Sequence, residues 1–169
     1  MSILAKEDIL ELIQTDPPLV QDYQDLDAQL QTNGFDLSLR SISVLTSAGR
    51  LALDNSNRVI SRQEKLEFGA DGVLHLAPGV YSIIYNEIVN LPRDVMALGR
   101  PRSSLLRCGA SLHTAVWDAG YSGRSESLLT VHNPLGIDLE KDARVLQLVF
   151  SRLTRTSESY SGRYQGENT

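Results

Sequence analysis

The chain has 169 residues, enough for one domain, and 41% of them are apolar, so it can bury a core and is not wholesale disordered. Sixteen basic against 21 acidic residues leave a net charge of −5, which argues against a nucleic-acid coat, because a phosphate backbone calls for a basic surface. No stretch approaches the ~20 apolar residues of a membrane span, the start lacks a signal-peptide profile, and the single Cys108 permits no internal disulfide. The expected class is a soluble, acidic, cytoplasmic protein.

In chain order, a short helix is predicted over about residues 3–14, with Ile9, Leu10 and Ile13 on one face and Glu7 and Asp8 early, where the helix dipole favours acids. Asp16-Pro17-Pro18 stops it. Short β-rich runs follow: Val80–Tyr85 after the turn signal Ala77-Pro78-Gly79, then Leu112–Trp117, Leu128–Val131 and Val145–Phe150. Asp71-Gly72, Asn133-Pro134 and Leu135-Gly136 punctuate them. Many short strands behind one helix predict an all-β sandwich, jelly roll or barrel. Residues 154–169 hold Ser, Thr, Gly and Tyr with hardly an aliphatic side chain, and read as a mobile arm beyond a β domain of residues 1–153. Tyr160 and Tyr164 give that arm rings able to close on a flat ligand; a frayed terminus is the plainer reading.

Several chemistries are absent as motifs. The chain has no G-x-x-x-x-G-K-[ST] or G-x-G-x-x-G nucleotide cradle and no G-x-S-x-G elbow. His75, His113, His132 and Cys108 lack zinc spacing. The basic residues are 13 Arg and three Lys (Lys6, Lys65, Lys141), and Arg93, Arg100, Arg102 and Arg107 fall within 15 positions. Arg matches phosphate oxygens in pairs, so this run is either surface ion pairing or a local anion site.

Five segments carry unusual residue choices. Asn33–Leu39 puts Asp36 inside an apolar alternation, as a turn residue, a satisfied buried acid or a functional one. Arg102-Ser103-Ser104-Leu105-Leu106-Arg107 offers two guanidinium groups and two hydroxyls, suited to phosphates or to helix capping. Ala115–Gly123 sets Asp118 three positions before Tyr121 at a glycine-rich bend. Ala143–Phe150 is an apolar strand interrupted by Gln147, whose amide needs partners. The fifth is the tail, Tyr160–Asn168.

In this order the five segments resemble the motif series of the dUTPase and dCTP deaminase superfamily, over nearly the whole chain, including Leu4–Ile9 and Gln31–Leu37 of the deaminase-type start. The pattern is most similar to the archaeal type of dUTPase. The resemblance implies a distorted jelly-roll or β-clip subunit with a short N-terminal helix. It also implies a homotrimer with active sites between subunits, and an arm over residues 154–169 that closes on the nucleotide. It implies further that dUTP, not a nucleic acid or a membrane, is the partner. By the motif match Asp118 is the general base for the attacking water, and Tyr121 packs under the deoxyribose and excludes a 2′-hydroxyl. Arg102, Ser103, Ser104 and Arg107 hold the phosphates, with an amide contact from Gln147. Backbone groups near Thr114, Ala115 and Val116 read the base, Asp36 orients waters of a Mg²⁺ on the triphosphate, and Tyr160, Arg163 and Gln165 of the tail touch the ligand.

Two alternatives stay open. A dCTP deaminase, or an enzyme doing both steps, needs a Glu where counting back from Asn133 places Thr130; Glu126 is the substitute acid, between neighbours (Arg124-Ser125 and Ser127) that read as solvated. The other is a nucleotide-binding module without catalysis.

Overall fold

The computed structural model describes residues 2–156 and 158–169. The chain opens with β1 (Ser2–Ile3) and α1 (Lys6–Ile13), so the expected helix over 3–14 is shorter, its first residues forming an edge strand paired with the chain's last one. The helix forms because Ile9 and Ile13 are buried on one face and the Asp8 carboxylate accepts the Ala5 N–H at its start (2.9 Å). Then come β2 (Val20–Gln21), α2 (Leu26–Gln29), β3 (Leu30–Gln31) and β4 (Gly34–Leu45). After an excursion with a 3₁₀ turn at Asn55–Asn57 follow β5 (Gln63–Leu66), β6 (Val73–Leu76), β7 (Gly79–Tyr85), β8 (Ile88–Asn90) and β9 (Val95–Pro101). A short α3 (Ser103–Arg107) leads to β10 (Ala110–His113), β11 (Val116–Trp117), β12 (Ser122–Gly123), β13 (Glu126–Val131), β14 (Ile137–Glu140) and β15 (Arg144–Arg152).

The fold is mostly β, a distorted jelly roll. Its main sheet runs β10-β13-β7-β4-β15-β9-β11, with β1 on β15 and both β3 and β5 on β4; β12-β8-β2 and β14-β6 form smaller sheets. The recorded pairings are antiparallel. The long β4 is the hinge of the architecture. Its first half pairs with β15 through Phe35–Ser38 and its second half with β5 and β7 through Leu39–Leu45. The register with β7 slips between Leu39 and Ser41, a bulge at which one strand changes partners and the sheet curls.

The alternation of β4 is readable in its packing. Phe35, Leu37, Leu39 and Ile42 are fully buried against Leu146, Leu148 and Phe150 of β15 and Ile83 and Tyr85 of β7. Burying one such side chain contributes roughly 1.5–3 kcal/mol. The opposite face is buried too, although it carries Asp36 and Ser38, because polar partners cover it. The Glu87 carboxylate, fully buried, accepts the Ser38 N–H (2.9 Å), the Ser38 hydroxyl (2.6 Å) and the Gln29 amide (2.6 Å).

Burial raises the Glu87 carboxyl above its ordinary range, only partly offset by the Ser38 and Gln29 hydrogen bonds. The native state therefore binds this proton more tightly than the unfolded chain. The stability it contributes is fully present below the unfolded value near 4.5 and is lost as pH rises through the folded one. Glu87→Gln puts an amide N–H against donors and is expected to cost about 1–3 kcal/mol. It should also flatten the fall in stability above pH 4.5, read by denaturant melts across pH; an unaltered slope would refute the linkage.

Candidate active site

Residues 112–117 are expected as one strand, and the structure divides them. β10 pairs with β13 as far as His113, and β11 begins at Val116 on β9, so Thr114 and Ala115 stand between two ladders while the chain changes partner. That break opens one wall of a cleft of about 300 Å³. Ala115, Val116, Trp117, Asp118, Tyr121, Ser125 and Glu126 of the body line it together with Tyr160, Tyr164 and Glu167 of the tail. Trp117 is fixed by its Nε1–H donating to the Ser125 hydroxyl (2.9 Å), and Thr114 packs instead beside Gly99.

Asp118 is exposed at the start of a tight turn in which its carbonyl accepts the Tyr121 N–H (3.0 Å). The turn is pinned to the strand end at Leu91, whose carbonyl accepts the Gly120 N–H and whose N–H donates to the Tyr121 carbonyl. Gly120 sits at φ +81°, and a Cβ there would come within 2.7 Å of Ser159 Cα, so only glycine lets the tail cross this closely. The carboxylate thus stands at the cleft mouth with its backbone fixed on both sides.

The tail lies docked on the same subunit. The Tyr160 N–H donates to the Ala119 carbonyl (2.9 Å), and the Tyr160 ring meets Tyr121 edge-on at 5.8 Å. Gly166 N–H donates to the Ser122 carbonyl (2.7 Å), and Arg124 N–H to the Glu167 carbonyl (2.9 Å). The Tyr164 ring carries the Arg58 guanidinium at 6.0 Å, which ties the tail to the excursion before β5. Gln165, expected on the ligand, is engaged by the body: it accepts the Ser122 N–H and donates to the Gly120 carbonyl, both at 3.1 Å. Arg163 is exposed and outside the cleft lining. Tyr121 is only 5% exposed; burial, then the neighbouring Glu167 charge, raises its phenol.

The phosphate group of expected residues lies elsewhere. Ser103, Ser104 and Arg107 are exposed on α3, and Arg102 precedes it. Arg102 Nε meets the buried Asp36 carboxylate at 3.0 Å, and Arg144 Nη1 meets the same oxygen at 3.4 Å. Burial pushes the Asp36 carboxyl up, against the pull of the two guanidinium groups. Gln147 stands in register between Asp36 on β4 and Arg100 on β9 and is half-buried. The structure brings Arg102, Asp36 and Gln147 together, with Ser103, Ser104 and Arg107 on the helix that follows, and none of them lines the Asp118 cleft.

The two candidate acids also separate. Thr130 pairs with Ser111 and Val80, away from the cleft, whereas Glu126 lines it and accepts the Ser82 hydroxyl (2.6 Å). The neighbours of Glu126 are not solvated: Arg124, Ser125 and Ser127 are buried, because the strand begins under the tail and Arg124 is held by Asp22 (2.9 Å) and the Asn168 carbonyl (3.1 Å). Sequence reasoning did not assign Trp117, Ser125, Tyr164 or Glu167 to the site; the Tyr160/Tyr164 pair was the one legible signal among them.

Comparison with known proteins places this geometry in context. Residues 3–153 match the model of the dCTP deaminase-like family. A probable deoxyuridine 5′-triphosphate nucleotidohydrolase of Methanococcoides burtonii is 52% identical over 169 residues, 99% of each chain. The protein of the same name from Archaeoglobus fulgidus is 50% identical over 168 residues, 99% of this chain and 98% of its own. Among solved structures, the 2′-deoxycytidine 5′-triphosphate deaminase of Agrobacterium tumefaciens shares the fold with a TM-score of 0.65 at 22% identity, over 88% of this chain and 47% of that one. The native EIAV dUTPase gives a TM-score of 0.51 at 16% identity, over 89% of this chain and 97% of its own.

Proposed function

The chain belongs to the dCTP deaminase-like family within the dUTPase and dCTP deaminase superfamily, and from that premise we propose that it is a hydrolase that converts dUTP to dUMP and pyrophosphate. One observation carries the reading: an exposed carboxylate, Asp118, held by a fixed turn in a cleft that it shares with Tyr121 and with the segment Thr114–Ala115 between two ladders. The full-length likeness to proteins named for this activity supports it.

Asp118 takes a proton from water as that water's oxygen attacks the α-phosphorus; the bond from that phosphorus to the bridging oxygen breaks, and pyrophosphate leaves with the electron pair. Backbone groups at Thr114, Ala115 and Val116 read the 4-oxo edge of uracil, and Tyr121 packs on the deoxyribose. Arg102, Ser103, Ser104, Arg107 and Gln147 hold the phosphates. A Mg²⁺ would arrive with the nucleotide, whose triphosphate oxygens are the hard ligands it takes. Asp36, engaged by Arg102 and Arg144, would orient its bound water, and the ion would supply positive charge for the departing pyrophosphate.

The separation of the Asp118 cleft from the Arg102 group supports a homotrimer in which neighbouring subunits complete each site. Mixing two inactive chains, Asp118→Asn and the exposed Arg107→Glu, should restore about a quarter of wild-type activity, because that share of sites draws both halves intact. No recovery after subunit exchange would place the whole site in one chain. Among the described residues no helix is long and apolar enough to cross a membrane, and Cys108 is exposed as a free thiol.

Chromatography after incubation with Mg²⁺ and either dUTP or dCTP tests the assignment. dUMP from dUTP with dCTP intact is the expected result. Glu126 in the cleft is the observation that favours deamination as a second reading, and uridine nucleotides appearing from dCTP would establish it. Inertness toward both would leave a binding module.

A further inference from the structure

The tail's anchoring and its aim into the cleft are separate features. The anchoring is done by the Gly166 N–H, the Glu167 and Asn168 carbonyls and the Gln165 and Asn168 side-chain amides, which hydrogen-bond to Gly120, Ser122 and Arg124, and Arg124 is held in turn by Asp22. The Glu167 side chain takes no part in that work. Its carboxylate turns inward and accepts the Tyr121 hydroxyl at 2.9 Å. Burial raises this carboxyl, and the charge of Glu126 adds to the effect. A tail selected for docking alone would be more stable with a neutral side chain here, since bringing a second carboxylate near Glu126 in a half-enclosed cleft is unfavourable.

The hydroxyl lies at the end of the Tyr121 side chain farthest from the backbone, on the axis about which the ring turns, so a tether there fixes where the ring tip sits and leaves the ring plane to its packing neighbours. Room for it is also built in: Gly123 lacks a side chain where a Cβ would fall 2.8 Å from that hydroxyl. Tyr160 meets the ring edge-on. The ring is therefore held by an edge contact and by a charge-assisted hydrogen bond at its tip.

We propose that Glu167 is a positioning residue for the sugar pocket: it holds the Tyr121 hydroxyl, fixes where the ring tip sits, and so lets the chain's last turn set the discrimination between a 2′-deoxyribose and a ribose. The inference rests on the dUTP reading above.

The test uses the full chain in four forms, Glu167→Ala, Glu167→Gln, Tyr121→Phe and the double variant Glu167→Ala/Tyr121→Phe, beside the wild type. Two preferences are measured for each: Kd of UDP against dUDP by calorimetry, and kcat/KM of dUTP against UTP. Glu167→Ala and Tyr121→Phe are each expected to lower the deoxy preference about 10-fold, the double variant no further, and Glu167→Gln, whose Oε1 still accepts the phenol, to retain most of it. An unchanged preference in Glu167→Ala with only a lower Tm, additive losses in the double variant, or Gln behaving as Ala would overturn the proposal. A wild type that prefers dUDP in binding yet releases no pyrophosphate from dUTP overturns the hydrolase reading while the binding preferences still decide the role of Glu167. A wild type that binds neither nucleotide overturns both.

Discussion

Asp118→Asn is expected to lower kcat for dUTP by about 10²–10⁴-fold, the contribution of a positioned general base, while Kd for dUDP changes little. The reasoning is local. Asn keeps the size of Asp but accepts no proton at neutral pH. The turn that carries it is held by backbone bonds from Tyr121 to the Asp118 carbonyl and from Gly120 to Leu91, which the substitution leaves intact. The side chain is exposed, so no buried partner is orphaned. Rapid-quench turnover and calorimetry on the same preparation read the two quantities separately. Undiminished hydrolysis would remove Asp118 from the chemistry; equal loss of binding and turnover would make it a structural residue of the turn.

Ending the chain after Leu153 is expected to lower kcat/KM by on the order of 100-fold, the scale of misplaced catalytic geometry, with the assembly mass unchanged. The truncation strips Tyr160, Tyr164 and Glu167 from the cleft lining. Tyr121 loses both its edge contact and the acceptor of its hydroxyl, and the Gly120–Arg124 segment loses the backbone partners that order it. The fully buried core lies between Leu4 and Phe150, so the body retains its packing. We read the tail as the element that excludes water once nucleotide is bound. Sizing chromatography with steady-state kinetics checks both halves of the expectation, and a fully active truncation would end that role.

The elements legible in the sequence were those whose local pattern and tertiary environment agree. The apolar face of α1, the run Val80–Tyr85 and the run Val145–Phe150 all became regular elements close to their expected limits. Three features escaped. β4 continues through Arg40 to Leu45 although Asp36, Ser38, Arg40, Ser41 and Ser43 interrupt its apolar pattern, because those polar residues find partners or solvent on the far face. β9, with Gly99, Arg100 and Pro101 among its seven residues, lacks a strand signature and is imposed by β15 and β11 on its two sides. The break at Thr114–Ala115 escaped for the same reason: Leu112–Trp117 reads as one strand until its ends take different partners.

By itself the sequence determined the superfamily and the all-β class, since composition, turn punctuation and ordered motifs are local properties of the chain. Asp118, Tyr121, Arg102 and Gln147 are recognisable by what stands beside them in the sequence. Tertiary structure alone decided which of them meet. It set the Asp118 cleft apart from the Arg102–Asp36 group, placed Glu126 in the cleft and Thr130 outside it, and turned Glu167 onto Tyr121. The physical reason is that a hydrogen bond between positions 46 residues apart depends on the curl of the sheet and the docking of the tail, and no local pattern encodes either.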